Sequence, residues 1–300
     1  MNIQFHGVVV PVPTILYRDG QVDEKGMRNL IDFLIESKVN GLFFLGSGGE
    51  FAQMSVELRK KVAAFATQYV NGRVPVLIGT GTPSTKETIA LSTHAQAIGA
   101  DAVVVINPYY YHLAEEHLFQ YFSEVADQIE LPIILYNYPA LTGQDLTAEF
   151  VLQLAKTHSN IVGIKETVES IGHTREMIQT VKSEKPDFAV FSGYDDHFLS
   201  CLVNGGDGSI PLTASFVPEF SVGIYQSFTN NNFREMVDFH RKLAPLLQLY
   251  KLDTPFMNVA KEAIRARGIE VSTDVLAPAR SLSIDKVKYV KDFLENVLNK

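Results

Sequence analysis

NIVGIKET, residues 160–167, reads as a short buried strand that ends in a charge. Ile161, Val162 and Ile164 favour extended backbone, and the apolar run is too short for a helix. Lys165 then places an ammonium where burial would disfavour it. Outward from this point the same unit recurs along the chain. A β-branched run precedes an amphipathic segment at VVVPV (8–12) and 23–38, GLFFL (41–45) and 55–70, PVLIG (75–79) and 84–99, and DAVVVI (101–106) and 115–128. The pattern continues at PIILY (132–136) and 147–157, NIVGIK (160–165) and 171–183, FAVFSG (188–193) and 195–204, and GSI (208–210) and 217–229. Met27, Leu30, Ile31, Leu34 and Ile35 fall at helical spacing, and Ser55 is placed to cap the second helix.

Nearly continuous apolar strands point to burial on both faces, as in a parallel sheet. Eight strand-then-helix units predict a (β/α)8 TIM barrel, with a doubly wound open sheet as the rival architecture. Residues 231–300 read as helices only, interrupted at Asp253-Thr254-Pro255 and Ala277-Pro278. The expected organisation is therefore a barrel over 1–230 carrying the site, with a C-terminal helical extension over 231–300 packed on it.

The composition fits such a fold. The chain has 300 residues, 46% hydrophobic and 20% charged, enough for a large core. Its 34 acids against 26 bases give a formal charge of -8, and no long basic run appears, so neither nucleic acid nor a membrane surface is an expected partner. Cys201 is the one cysteine, which excludes an internal disulfide and a cysteine metal cluster; in HFLSCL it reads as a core thiol. MNIQFHG lacks the basic start and apolar stretch of a signal peptide, and the apolar runs fall short of the ~20 residues of a spanning helix. A cytoplasmic location is expected.

A barrel of this kind carries its site at the C-terminal ends of its strands. Lys165, Gly46-Ser47-Gly48-Gly49, Asn107-Pro108-Tyr109-Tyr110, Tyr136 and Gly193-Tyr194-Asp195 all fall there. Strand alternation puts Ile161, Gly163 and Lys165 on one face, with Gly163 leaving room beneath the lysine. Either Lys165 points into the barrel mouth or it snorkels out to water. In an apolar mouth its pKa would fall from ~10.4 towards ~7–8, and a neutral amine can attack a ketone to form a Schiff base. The iminium so formed is an electron sink for breaking or making the adjacent C–C bond, with no metal required. Proton transfers would need a relay, for which Tyr136 and the run Tyr109-Tyr110-Tyr111 offer phenols, packing being the alternative role.

The glycines of GLFFLGSGGEF (41–51) do not make a dinucleotide fingerprint, since Phe51 stands where the third glycine is needed; GTGTPS (79–84) fails likewise at Ser84. They suit an anion nest in which backbone N–H groups converge on a carboxylate, or else a plain tight turn. The eight histidines show no metal-ligand spacing. Asp195-Asp196-His197 is a lone acidic cluster better suited to substrate hydroxyls than to a metal, and Thr167 can serve likewise.

These motifs together resemble the dihydrodipicolinate synthase/N-acetylneuraminate lyase superfamily of pyruvate-dependent class I aldolases. The markers are GSGGEF near 50, NPYYY near 108, LYNYPALTGQDL (135–146), GIKET (163–167) and SGYDD (192–196). The resemblance implies that Lys165 forms the Schiff base with pyruvate and that no other cofactor is used. It implies Tyr136 as the acid/base, with Ser47 linking it to a Tyr110 supplied by a neighbouring subunit. Gly48 would help hold the pyruvate carboxylate, and Thr167, Gly193, Asp195, Asp196 and Ile210 would contact the rest of the substrate. It also implies a homotetramer built as a dimer of dimers. Leu141 stands where the synthases carry a carboxylate-binding arginine, and DTPF-x-N-x-x-KEAI (253–264) is most similar to the 2-keto-3-deoxygluconate aldolase branch. The expected activity is cleavage of a 2-keto-3-deoxy sugar acid to pyruvate and an aldehyde. Dihydrodipicolinate synthesis from pyruvate and aspartate semialdehyde is one alternative, and a non-catalytic barrel that binds keto acids is another.

Overall fold

Eight parallel strands pair in chain order, and the eighth pairs with the first, closing a barrel. The computed structural model describes residues 5–299, so the first four residues of MNIQFHG and the last of the expected extension lie outside the described residues. The strands are β1 (Gly7–Pro11), β2 (Gly41–Phe44), β3 (Val76–Gly79), β4 (Ala102–Ile106), β5 (Ile133–Asn137), β6 (Ile161–Glu166), β7 (Ala189–Ser192) and β8 (Gly208–Ser209). Their residues are buried apart from a half-buried Val162, as the apolar runs required. The open-sheet alternative is excluded by closure.

The helices that follow these strands are α1 (Glu24–Glu36), α2 (Val56–Val70), α3 (Thr85–Ala97), α4 (Glu115–Ala126), α5 (Ala148–Thr157), α6 (Ile171–Glu184), α7 (Phe198–Val203) and α8 (Pro218–Thr229). Their starts are set locally. The side chains of Asp23, Ser55, Ser84, Thr147 and Ser170 each accept a hydrogen bond from a backbone amide in the first turn. A cap of this kind stabilises a helix by about 1 kcal/mol. Among the described residues no helix is long and apolar enough to cross a membrane.

The extension begins with α9 (Phe233–Leu243), which packs along α8, and continues through a 3-10 stretch, Ala244–Lys251. It ends with α10 (Met257–Ala266) and α11 (Ile284–Leu298), packed on each other. Thr254-Pro255 and Ala277-Pro278 lie in the turns before and after α10. The extension does not merely lean on the barrel wall. Its first half reaches the barrel mouth, where Tyr250 and Phe256 line the cavity.

One feature of β6 departs from strict alternation. Ile133 pairs with Ile161 but Ile134 pairs with Gly163, so Val162 is an extra residue in a bulge. Beyond the bulge the register is regular, with Tyr136 opposite Lys165 and Asn137 opposite Glu166. Gly163 is required by crowding, not by space under the lysine, because a Cβ there would meet the Ala189 carbonyl at 2.8 Å. The bulge bends β6 just before the residue that matters most.

Candidate active site

Lys165 is carried on β6 into a cavity of about 190 Å³ at the C-terminal ends of the strands. It is 5% exposed, and its Nζ lies 4.2 Å from the ring centre of Tyr136 and 5.4 Å from that of Phe43. Burial among these rings pushes the ammonium down to about 7, against the opposing pull of the Asp195 carboxylate. The amine is thus substantially neutral near pH 7, and the snorkelling alternative is excluded.

Tyr136, on β5, shares the level of Lys165 because the two are register partners on adjacent parallel strands. Burial raises its phenol to about 12, partly offset by the hydroxyls of Ser47 and Thr167. Ser47 Oγ and Tyr136 Oη are 3.4 Å apart. Thr167, two residues beyond Lys165, is buried and lines the cavity. Gly193 lines the same wall, where a Cβ would lie 1.8 Å from Thr167 Oγ1, so any larger residue would displace that hydroxyl.

The glycine run after β2 forms a tight 3-10 turn, Ser47–Gly49. Gly49 N and Glu50 N close it on the carbonyls of Gly46 and Ser47, whereas Ser47 and Gly48 face the cavity. Glu50 ends the turn at φ 61, in the left-handed region. Its side chain is fully buried, ion-paired with Lys261 of α10 and accepting from the Leu276 amide at 2.8 Å. The extension thereby anchors the turn.

Asp195 lies in the single 3-10 turn Asp195–His197 after β7 and points into the cavity wall. It is fully engaged by the protein: Oδ1 accepts from Thr213 N at 2.9 Å and from Thr213 Oγ1 at 2.5 Å, and Oδ2 accepts from Tyr250 Oη at 2.9 Å. Asp196, expected beside it on the substrate, is exposed and lies outside the cavity lining. At three residues per turn, neighbours in a 3-10 turn point to different sides. Ile210 and Leu212 form the apolar floor after β8.

Tyr110 is not brought to this cavity by its own chain. It is 85% exposed and held at φ 89, in a region unfavourable for a side chain. Tyr109 instead lines a second cavity of about 350 Å³ that shares Ser47, Tyr138 and Phe256 with the first. Leu141 lines this second cavity, and among the described residues no arginine lines either one.

Tyr138, Tyr194, Tyr250 and Phe256 also line the first cavity; sequence reasoning placed Tyr194 at a strand end without a role and gave the other three no place in the site. Tyr138 and Tyr194 follow the strand ends within motifs already noted. Nothing local marks Tyr250, and Phe256 stands in the quoted 253–264 motif without a sign of its position; both reach the mouth through the path of the extension. A further cluster lies behind Lys165: His173 Nδ1 is 2.8 Å from Glu166 Oε2 and its Nε2 is 2.9 Å from Asp145 Oδ2. Asn137 Nδ2 donates to both carboxylates. Hydrogen bonds to Asp145 and Glu166 raise the imidazolium to about 10.

The arrangement matches known proteins over its whole length. The Dihydrodipicolinate synthetase family matches residues 4–297. The chain is 50% identical over 293 residues to "Putative 2-dehydro-3-deoxy-D-gluconate aldolase YagE" of Escherichia coli K12, covering 98% of this chain and 97% of that one. It is 49% identical to "Probable 2-dehydro-3-deoxy-D-pentonate aldolase YjhH" of the same organism, covering 92% and 91%. The crystal structure of YagE in complex with pyruvate superposes with a TM-score of 0.97 over 99% of both chains. A dihydrodipicolinate synthase from Thermotoga maritima superposes at 0.93 with 29% identity, covering 98% and 99%.

Proposed function

The chain belongs to the dihydrodipicolinate synthetase family, and we propose that it is a class I aldolase cleaving a 2-keto-3-deoxy sugar acid to pyruvate and an aldehyde. The observation that carries this reading is the Lys165 amine, buried against the Tyr136 ring at the C-terminal mouth of the barrel with its pKa lowered to about 7. Relatives of about half-identity are named as aldolases of 2-dehydro-3-deoxy-gluconate and -pentonate, the same class of sugar acid.

Lys165 Nζ adds to the C2 carbonyl of the keto acid, and the carbonyl oxygen takes up a proton. Tyr136, a phenol at rest because its pKa is about 12, donates a proton to the carbinolamine hydroxyl, which leaves as water. The C=N bond that forms carries the positive charge. The Tyr136 phenolate then takes the C4 hydroxyl proton. The C3–C4 bond breaks, its electrons pass to the iminium to give an enamine, and the aldehyde departs. Protonation at C3 and addition of water release pyruvate and the free amine.

The amides of Ser47 and Gly48 are assigned to the keto-acid carboxylate, as backbone donors in a tight turn suit a small anion. Thr167 Oγ1, Gly193 and Ile210 face the remainder of the substrate. An uncharged polyol end suits the cup, since a second carboxylate would meet Asp195 and no arginine among the described lining residues. That weighs against the synthase reaction. The exposed Tyr110 is assigned to a neighbouring subunit's site in a homotetramer, and the buried lone thiol of Cys201 is compatible with a cytoplasmic location.

The test is to trap the intermediate. Incubation with pyruvate and borohydride should add a reduced pyruvyl group to the peptide carrying Lys165, and a panel of 2-keto-3-deoxy acids should be cleaved faster than aspartate semialdehyde is condensed. Without the Lys165 adduct the mechanism fails.

A further inference from the structure

Among the described residues Tyr250 is the one ionisable group that the extension sends into the cup, and its hydroxyl is bonded to the carboxylate beside it. Its Oη donates to Asp195 Oδ2 at 2.9 Å, while Thr213 supplies both a backbone and a side-chain donor to Oδ1. The three donors come from two different parts of the chain: the 3-10 turn Leu212–Ser215 after β8, and the extension. The titratable groups around the cup are Tyr136 on β5, Tyr138 just beyond it, Lys165 on β6, Tyr194 and Asp195 beyond β7, and Tyr250. Among the described residues Asp195 is the only carboxylate lining it, and its charge acts on Lys165. Glu169 lies further out and acts on Tyr138 and Tyr194.

Resting on the aldolase reading, we infer that Tyr250 is a positioning residue for the Schiff-base step: with Thr213 it keeps Asp195 ionised as the counter-charge to the cation formed at Lys165. The step separates charge inside the cup. Neutral amine, ketone and the Tyr136 proton become iminium, phenolate and water, so a full positive charge appears at Nζ, and the phenolate loses its own charge when it takes the C4 hydroxyl proton. A fixed anion already in place stabilises that charge without reorganisation at the moment of reaction. Burial disfavours the Asp195 carboxylate and raises its pKa above the ordinary value, and the hydrogen bonds from Thr213 and Tyr250 oppose that rise. Removing one donor weakens the anion, and a weaker anion lowers the affinity of Lys165 for its proton and of the site for the iminium.

The experiment compares wild type, Tyr250→Phe and Thr213→Val, with borohydride trapping of the pyruvate adduct and kcat and KM measured across pH 5–9. Tyr250→Phe deletes only a hydroxyl, and Thr213→Val gives an independent donor loss should the first variant not fold. The expected result is a kcat lowered at least tenfold with KM changed less than threefold. The pH at which trapping reaches half its maximal rate should move below the wild-type value. Asp195→Asn should shift it in the same direction and further. A Tyr250→Phe trapping profile superimposable on wild type, with kcat unchanged, would overturn the assignment, as would a fall in activity that tracks lost folded protein with no movement of the pH profile. Wild type that forms no Lys165 adduct would instead overturn the aldolase reading itself, so the two failures are distinguishable.

Discussion

Lys165 and Tyr136 occupy the same level of neighbouring parallel strands, so the amine lies against the face of the phenol ring, 4.2 Å from its centre. Side chains of register partners in a parallel pair project to the same side. The two groups therefore need no loop to bring them together; the barrel ladder itself sets their separation.

Burial that lowers Lys165 to about 7 ties activity and stability to the same group. The neutral amine is the nucleophile, so kcat/KM should rise about tenfold per pH unit below 7 and level off above it. The depressed folded-state value means that the ammonium is bound less well in the native protein than in the unfolded chain. That penalty is absent above the unfolded value near ~10.4 and grows as pH falls towards about 7. Lys165→Met should be inactive yet melt at higher temperature than wild type at pH 7. Melting curves should converge near pH 10.5; equal melting temperatures at pH 7 would contradict the burial argument.

Tyr136→Phe keeps the ring against Lys165 but removes the proton relay. We expect kcat to fall by about 10²–10⁴ with little change in KM, as for loss of a general acid–base. Pyruvate should still be trapped on Lys165, more slowly. A kcat within threefold of wild type would assign the relay elsewhere.

The buried pair of Glu50 and Lys261 fixes the Ser47–Gly49 turn, which we propose holds the keto-acid carboxylate, to the extension. Glu50→Gln leaves an unpaired ammonium in the interior, and breaking a buried pair in this way costs about 3–5 kcal/mol. Urea denaturation should show that loss. The KM for the keto acid should rise as the Ser47–Gly49 turn loosens.

If the exposed Tyr110 completes a neighbour's site, two inactive variants can repair each other. Tyr110→Phe and Lys165→Ala, coexpressed and copurified as mixed oligomers, should recover part of the wild-type activity. Separately purified and mixed without exchange, they should not. Full activity in Tyr110→Phe alone would remove the tyrosine from the mechanism.

His173, held between Glu166 and Asp145, is raised to about 10 from an ordinary value near ~6.5. Because the folded value is the higher one, its contribution is complete below pH ~6.5 and disappears as pH rises through about 10. His173→Gln should therefore lower the melting temperature at pH 6, and the gap to wild type should shrink towards pH 10.5. A gap that does not change with pH would mean that the ring matters only as packing.

Much of this was legible from the residues. The eight apolar runs, each with its following amphipathic segment, predict the closed barrel because a strand buried on both faces needs a helix outside it. Lys165, Tyr136 and Ser47 were legible for a second reason: strand ends in a barrel converge on one mouth, so polar residues there meet whatever their separation along the chain. The bulge at Val162 was not legible, since inserting one residue changes register without changing composition. Asp195 and Asp196 look equivalent in sequence, yet a 3-10 turn sends one inward to Thr213 and Tyr250 and the other to solvent. The place of Tyr250 and Phe256 at the mouth was not legible because it depends on how the extension crosses the barrel, which no local periodicity encodes. Glu50 and Lys261 stood in two recognised motifs, but only the fold shows that they are one contact.

That contact spans 211 positions of the chain, and it orders events during synthesis. When a ribosome has delivered residues only as far as Thr229, every strand and surrounding helix already exists, while Glu50 still lacks Lys261 and Asp195 still lacks Tyr250. The lysine is thus made long before its surroundings are finished. While it is still open to water it stays an ammonium near neutral pH, so its nucleophilic form depends on residues beyond Thr229, Tyr250 and Phe256 among them, closing over the cup.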